Sequence, residues 1–282
     1  MSSETTTTSL NDLIPQIVAE ALFVASERSI MRNLVKNFSI PVGSGKSIVV
    51  PNYGTQTAAA VNEGTDLSNT AVSTGGVTLT LGEVGIMTTV TDMAVRSASS
   101  NVIADVGRLF GEAIARKMDK DLTALFAGFS TVVGGNTTAA TAALFFSAIA
   151  RLKAAGVPGD ALFAVVNPLV AYDLKKDLTS SFQNPAAGVI QNAAMATGYI
   201  GMLGGVPVFE TSNVEDTSGD SVGGLFHRDA LGLALGQDIK IEAQRDASLR
   251  ATELVATAVY GVGELLDSYG VALSFDSSLS DA

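Results

Sequence analysis

Two spacings of apolar residues organise this chain. Val77, Leu79 and Leu81 alternate with Thr78 and Thr80, and Val84, Ile86, Thr88 and Val90 continue at every second position. That spacing is the signature of strands with one face covered. Residues 47–51 and 55–61 read as two shorter strands, and Glu63-Gly64-Thr65-Asp66 as a turn. Residues 46–91 are therefore expected to form one long β excursion. Its middle is rich in Thr and Ala and poor in large apolar residues. A long hairpin without a core of its own is seldom stable alone, so it needs a surface to lie on.

The second spacing is helical. Val102, Val106, Leu109, Ala113, Met118, Leu122, Leu125 and Phe129 fall on one stripe, which predicts a helix over residues 101–129. Asn101 can cap its start and Asp105 suits the first turn. At 1.5 Å per residue such a helix is roughly 40 Å long. Leu13, Ile17, Ala21 and Val24 predict another helix over residues 11–36, behind a polar stretch at 1–9. A helix over 141–155 stops at Gly156 before Pro158, and 161–166 is a buried strand. Asn167 then caps a helix with Pro168 at its first position, reaching about Leu178. Residues 179–198 read as irregular and 212–223 as an exposed loop. Strands are expected at 206–211, 224–228, 231–235, 239–242 and 271–275. A long one covers 252–266, with Leu254, Ala256, Ala258 and Tyr260 on one face. No internal repeat and no low-complexity linker divides the chain. The class is α+β.

Composition narrows what such a chain can do. Of 282 residues, 47% are hydrophobic and 16% charged, enough to bury a sizeable core. The net charge is −11 and the 17 basic residues are scattered, unlike the clustered Lys and Arg of a protein that grips phosphates. There is no Cys and a single His, His227. This excludes disulfides, thiolate zinc sites, Cys nucleophiles and two-His metal motifs. No apolar run reaches the roughly 18 residues of a membrane span. The N-terminus lacks a basic start and an apolar stretch, so a soluble protein made in a cytoplasm is expected.

Candidate chemistry fails on spacing. Gly43-Ser44-Gly45-Lys46-Ser47 resembles the end of a phosphate-binding loop, but Ile40 stands where its first Gly belongs, and a strand follows instead of a helix. Gly219-Asp220-Ser221-Val222-Gly223-Gly224 resembles a serine-protease nucleophile segment interrupted by Val222, with His227 downstream rather than upstream. Tyr260-Gly261-Val262-Gly263 lacks the third Gly of a dinucleotide fingerprint, Leu266 standing in its place. His227 reads as a hydrogen-bonded structural residue or a pH-sensitive contact. Arg116, Lys117, Asp119, Lys120 and Asp121 read as a solvated helix face or a subunit contact. No catalytic, cofactor or metal residue is assigned.

Several stretches taken together resemble HK97-fold phage capsid proteins. Ala58-Ala-Ala-Val-Asn-Glu-Gly-Thr-Asp-Leu67 is similar to the tip of that family's E-loop. Ala161-Leu-Phe-Ala-Val-Val-Asn-Pro-Leu-Val-Ala-Tyr-Asp-Leu-Lys175 is similar to the element opening its A-domain, and Gly205-Val-Pro-Val-Phe209 to a strand within it. Phe226-His-Arg-Asp-Ala-Leu-Gly-Leu-Ala-Leu235 and Ala251-Thr-Glu-Leu-Val-Ala-Thr-Ala-Val-Tyr-Gly-Val262 resemble the closing strands. The resemblance spans nearly the whole chain. It implies an N-terminal arm at 1–42, an E-loop at 43–91, and a P-domain with its spine helix at 92–157. It further implies an A-domain at 158–250, the long P-domain strand at 251–268, and an A-domain strand with the tail at 269–282.

On that resemblance the chain assembles with itself into hexamers and pentamers that close an icosahedral head around double-stranded DNA, which it encloses without specific binding. An acidic wall lets packed DNA slide. The E-loop lies across a neighbouring subunit. Glu63, Asp66, Arg116 and Lys120 are the expected inter-subunit contacts, and Gly43 and Gly45 the expected hinge. A separate scaffolding protein and a portal protein are expected partners, with a decoration protein a further one. The expected location is the virion head, after assembly in the host cytoplasm, with no membrane involved. Lys46, at the base of the excursion, is the only Lys between residues 41 and 95, so covalent crosslinks from an E-loop tip are not expected. Two alternatives stay open: an encapsulin-like compartment with enzyme cargo, and a β-rich hydrolase or binding domain.

Overall fold

The structure is a computed structural model describing residues 29–41, 43, 45–53, 58, 60–64, 66, 71–72, 74–97, 102–181 and 199–279. Most of the arm helix expected at 11–36, the Asn101 cap, much of the 55–61 strand and most of the irregular 179–198 segment lie outside these residues. In chain order the elements are α1 (Met31–Leu34), β1 (Lys36–Ser39), β2 (Ser47–Tyr53), β3 (Thr74–Thr80), β4 (Gly82–Thr91) and α2 (Asp92–Ser97). Next come α3 (Val102–Ala124), β5 (Val132–Ala139), α4 (Ala142–Ala154), β6 (Leu162–Val166), α5 (Pro168–Ser181) and β7 (Tyr199–Leu203). The chain ends with β8 (Val206–Glu210), β9 (Asp216–Thr217), β10 (Asp220–His227), β11 (Leu231–Asp246), β12 (Ala251–Glu264) and β13 (Gly270–Asp276).

These strands build two main sheets and a hairpin. The first sheet runs β1-β11-β12-β4, with β1 parallel to β11 and the other pairs antiparallel. The second runs β5-β13-β10-β6-β8-β7, with β9 beside β10. Among the described residues β2 and β3 pair only with each other. The even positions of β12, Leu254, Ala256, Ala258 and Tyr260, are all buried, as their alternation predicts. Leu254, Ala256 and Ala258 pack with Ile239 and Ile241 of β11 against Val106, Phe110 and Ile114 of α3. On the second sheet, α4 and α5 cover one face through Phe145, Ile149, Leu152, Val170 and Leu174. The end of α3 covers the other through Leu122 and Phe126, which meet Phe226 and Ala272.

Several expectations are corrected. The buried stripe of α3 is Val106, Phe110, Ile114, Met118 and Leu122, every fourth residue, whereas Leu109 is 62% exposed. The α-helix ends at Ala124, and Leu125–Gly128 is a tighter 3-10 turn. In the arm, helix stops at Leu34 and Lys36 opens a strand instead. The 212–223 loop is neither all exposed nor all loop: Val214 and Ser221 are buried and β9 pairs with β10. β5 and β7 were not expected at all. The two strands read at 231–235 and 239–242 are one, β11, with its register shifted between Leu235 and Lys240. Residues 58 and 60–62 form no strand.

The expected excursion at 46–91 is also cut short. β4 pairs with β12 over ten registered positions, from Thr91 opposite Ala251 to Gly82 opposite Tyr260. Only β2 and β3 stand apart. Their base is seated within the same chain, because Leu79 and Leu81 pack with Ile40, Ala234 and Leu265. This seat lies on the face of β12 opposite α3. It is paved with glycine: a Cβ on Gly261 would sit 2.3 Å from the Thr80 carbonyl oxygen, and one on Gly263 would sit 2.5 Å from Leu79. The Tyr260-Gly261-Val262-Gly263 run is thus a track for β3, which only residues without side chains can provide.

The two main sheets meet at a joint crossed three times. The chain passes from α3 to β5 through Leu125–Gly128, from β10 to β11 through a 3-10 turn at Arg228–Ala230, and from β12 to β13 through another at Asp267–Tyr269. The crossings are tied together. The Leu265 and Leu266 amides both donate to the Ala230 carbonyl, at 2.7 and 3.2 Å, and the Ser130 amide donates to Asp267 at 2.7 Å.

Candidate subunit interfaces

The hairpin presents two different faces. Ile48 and Val50 of β2 point towards its seat, while Val49, Pro51 and Tyr53 point away and are exposed, Tyr53 by 66%. Opposite them on β3 stand Thr78, Gly76 and Thr74. The outer face is therefore apolar or small along its whole length, with no partner element among the described residues. Beyond it, Glu63 and Asp66 are exposed near the tip, and Val61 and Val72 add exposed apolar surface. Gly43 and Gly45, before β2, have φ of 91° and 99° and nothing within reach of a Cβ. Their backbone suits a turn that only glycine adopts freely. Ser47 opens β2 directly, so the Gly-Ser-Gly-Lys-Ser run leads into a strand and not into the helix a phosphate loop needs.

The charged cluster on α3 divides into three kinds of residue. Arg116 and Lys120 are exposed one turn apart. Lys117 pairs with Asp121 at 2.5 Å, and Asp121 also accepts from the Tyr260 hydroxyl at 2.8 Å. Burial, with that hydrogen bond added, holds the Tyr260 hydroxyl well above its ordinary pKa. Asp119 departs from the solvated-face expectation: it is wholly buried. Its carboxylate accepts from the Ser29 hydroxyl at 2.7 Å, the Ile30 amide at 3.1 Å and the Asn213 side chain at 3.4 Å. Burial raises its pKa against the pull of those donors. Thr123, one turn on, donates to the Asn213 carbonyl at 3.0 Å. One helix thus clasps both the start of the described chain and the 211–214 segment of the second sheet.

Among the described residues no ion pair joins Glu63 or Asp66 to Arg116 or Lys120. The hairpin and α3 lie on opposite faces of the first sheet, so within one chain the two pairs stay apart. Sequence reading missed the outer hairpin face and the far end of the long sheet. At that far end Arg245 makes a two-pronged contact with Asp92, both bonds 2.7 Å, and Met93 and Leu249 are exposed. The alternation of Ile48-Val49-Val50 carried the first signal; nothing local in the sequence marked the second. The remaining motifs are spent on structure: Ser221 is buried in β10, and His227 caps the turn that follows it. No group of three or more metal-ligating side chains occurs among the described residues, and no described helix is long and apolar enough to cross a membrane.

A long helix under an extended antiparallel sheet, a second sheet flanked by helices, and a protruding hairpin define the class of HK97-like capsid subunits. Residues 76–274 match the family model described as phage capsid protein, and the chain belongs to that family, as a major capsid protein. Solved structures agree on the fold. A Mycobacterium phage Che8 structure is 26% identical, with a TM-score of 0.64 over 81% of this chain and 84% of that one. The capsid of cyanophage P-SCSP1u is 16% identical, with a TM-score of 0.68 over 89% of each chain. The capsid of the native GTA particle, computed with C5 symmetry, is 12% identical, with a TM-score of 0.67 over 90% and 91%. A comparison with curated proteins finds no match.

Proposed function

We propose that this capsid protein forms hexamers and pentamers that close an icosahedral head shell around double-stranded DNA. The observation that carries the reading is the hairpin: its base is anchored on its own chain, while its outer face of Val49, Pro51 and Tyr53 is left exposed by the described residues. A neighbouring subunit is the partner such a face fits. A contact between two different surfaces, repeated around an axis, closes a ring, and many modest contacts hold together through their number. The C5 symmetry used for the similar GTA capsid supports five-fold closure. On this reading Glu63 and Asp66 meet cations of the next subunit, Arg116 and Lys120 serve as contacts on the helix side, and Gly43 and Gly45 let the hairpin adjust between ring types.

The role is structural, without catalysis: His227 caps the turn after β10, and Ser221 is buried within that strand. On the same reading residues 92–157 and 251–268 form the P-domain, and residues 158–250 and 269–282 the A-domain. Scaffolding, portal and decoration proteins belong to the same reading as partners, as does assembly in the host cytoplasm. The test is electron microscopy of the protein produced with its neighbouring head genes. Closed shells with five- and six-fold capsomers are expected; a monodisperse small particle under those conditions would sink the proposal.

A further inference from the structure

The only histidine sits at the joint between the two sheets, and its bonding depends on its charge. His227 ends β10, is buried, and caps the 3-10 turn at Arg228–Ala230: its Nδ1 accepts from the Asp229 amide at 3.2 Å. A backbone N–H can only donate, so this contact requires an Nδ1 without a proton. That bond is incompatible with a charged ring, whose two nitrogens both donate. The partners of a charged ring are already in place. Asp160 Oδ1 lies 3.6 Å from Nε2, and Asp229 Oδ2 lies 3.7 Å from Nδ1. Tyr269, from the turn at the other crossing, meets the ring edge-on with centroids 5.5 Å apart. Among the described residues, the charged groups paired with the imidazole are Asp160 from the loop before β6 and Asp229 from its own turn. Lys36 of β1 reaches it only through Asp229, which it contacts at 2.8 Å.

We propose that His227 is a proton-operated clasp at this joint. Neutral, it caps the turn whose last carbonyl, that of Ala230, holds the Leu265 and Leu266 amides of the return crossing. Protonated, it gives up the Asp229 amide and pairs with the carboxylates of Asp160 and Asp229, and the turn loosens. Acidification therefore frees the connection between the two sheets while leaving each sheet intact. The inference stands on the geometry of one chain and does not need the shell to be of any particular size or content.

Hydrogen–deuterium exchange on the full-length chain tests it, read at the Asp229, Leu265 and Leu266 amides from about pH 8 to about pH 5, where imidazoles titrate. After correction for the chemical rate, exchange at these amides should accelerate about fivefold on acidification, the worth of one hydrogen bond. In His227→Asn, whose side-chain oxygen keeps the capping acceptor but does not titrate, it should stay flat. A flat wild type, or the same acceleration in the variant, overturns the proposal. Should that variant fail to fold, Asp160→Asn leaves the cap untouched and removes one partner of the charged ring. The transition should then move to lower pH, and an unmoved midpoint overturns the pairing.

Discussion

Asp119 illustrates how a single buried charge shapes this subunit. Its two oxygens serve donors from the start of the described chain and from the 211–214 segment. Asp119→Ala removes the acceptor and strands those donors, and should destabilise the chain by about 2 kcal/mol in chemical denaturation at neutral pH. The pH dependence has a definite sign. Burial raises the folded-state pKa above the ordinary 3.8, so the folded chain holds this proton more readily than the unfolded one. The contribution of Asp119 is therefore most favourable below the ordinary value and declines as pH rises through the raised one. Asp119→Asn does not titrate, so the stability advantage of wild type over this variant should shrink across that window; a constant difference would contradict it. The sequence showed Asp119 only as one member of a charged helix face. Its burial follows from its place one residue after Met118 in a stripe that recurs every fourth residue, which the reading based on Leu109 and Ala113 blurred.

At the scale of elements, the seat of the hairpin is the most sequence-dependent contact. Gly261→Val places a Cβ against the Thr80 backbone, 2.3 Å from its oxygen, and a backbone atom cannot swing aside. Overpacking of this kind costs roughly 1–3 kcal/mol. The two main sheets should survive while the hairpin lifts, so limited proteolysis should cut near Tyr53 sooner than in wild type; equal cutting would show that the seat tolerates a side chain. Elements with an unbroken period were legible: β12 from its even positions, and α4 from Thr141, whose hydroxyl accepts from the Leu144 amide, to Gly156 with φ of 78°. Those missed had broken periods. Gly134 and Gly135 interrupt β5, and the irregular stretch between Leu235 and Lys240 split β11 in two. The end of the excursion was itself written in the chain. Apolar residues occupy odd positions up to Leu81 and even ones from Val84, and a strand cannot change parity without a break. That break is where β3 leaves off and β4 joins the other sheet.

For the whole molecule, the test of assembly lies in residues that do little for the subunit alone. Tyr53→Asp, on the exposed hairpin face, should alter subunit stability by less than about 0.5 kcal/mol, yet abolish shells seen by electron microscopy. Normal shells would remove the hairpin face from the interface. Lys46 stands exposed at the base of the hairpin, away from the tip, so mature particles should dissolve to single chains on a denaturing gel; a ladder of multimers would contradict this. The partner surfaces themselves were only partly legible, because a contact between copies leaves no periodicity inside one copy. The joint has a mechanical corollary. β11 and β12 run as paired strands from it for 16 and 14 residues, an arm of roughly 45 Å at the usual rise. Turning such an arm by about 5° at its root sweeps its far end through about 4 Å, by the same rise per residue. Small angles at the root thus become displacements of a whole side chain at the far end, where Arg245 and Asp92 sit, and in the proposed shell such displacements would let identical chains tile a surface of uneven curvature.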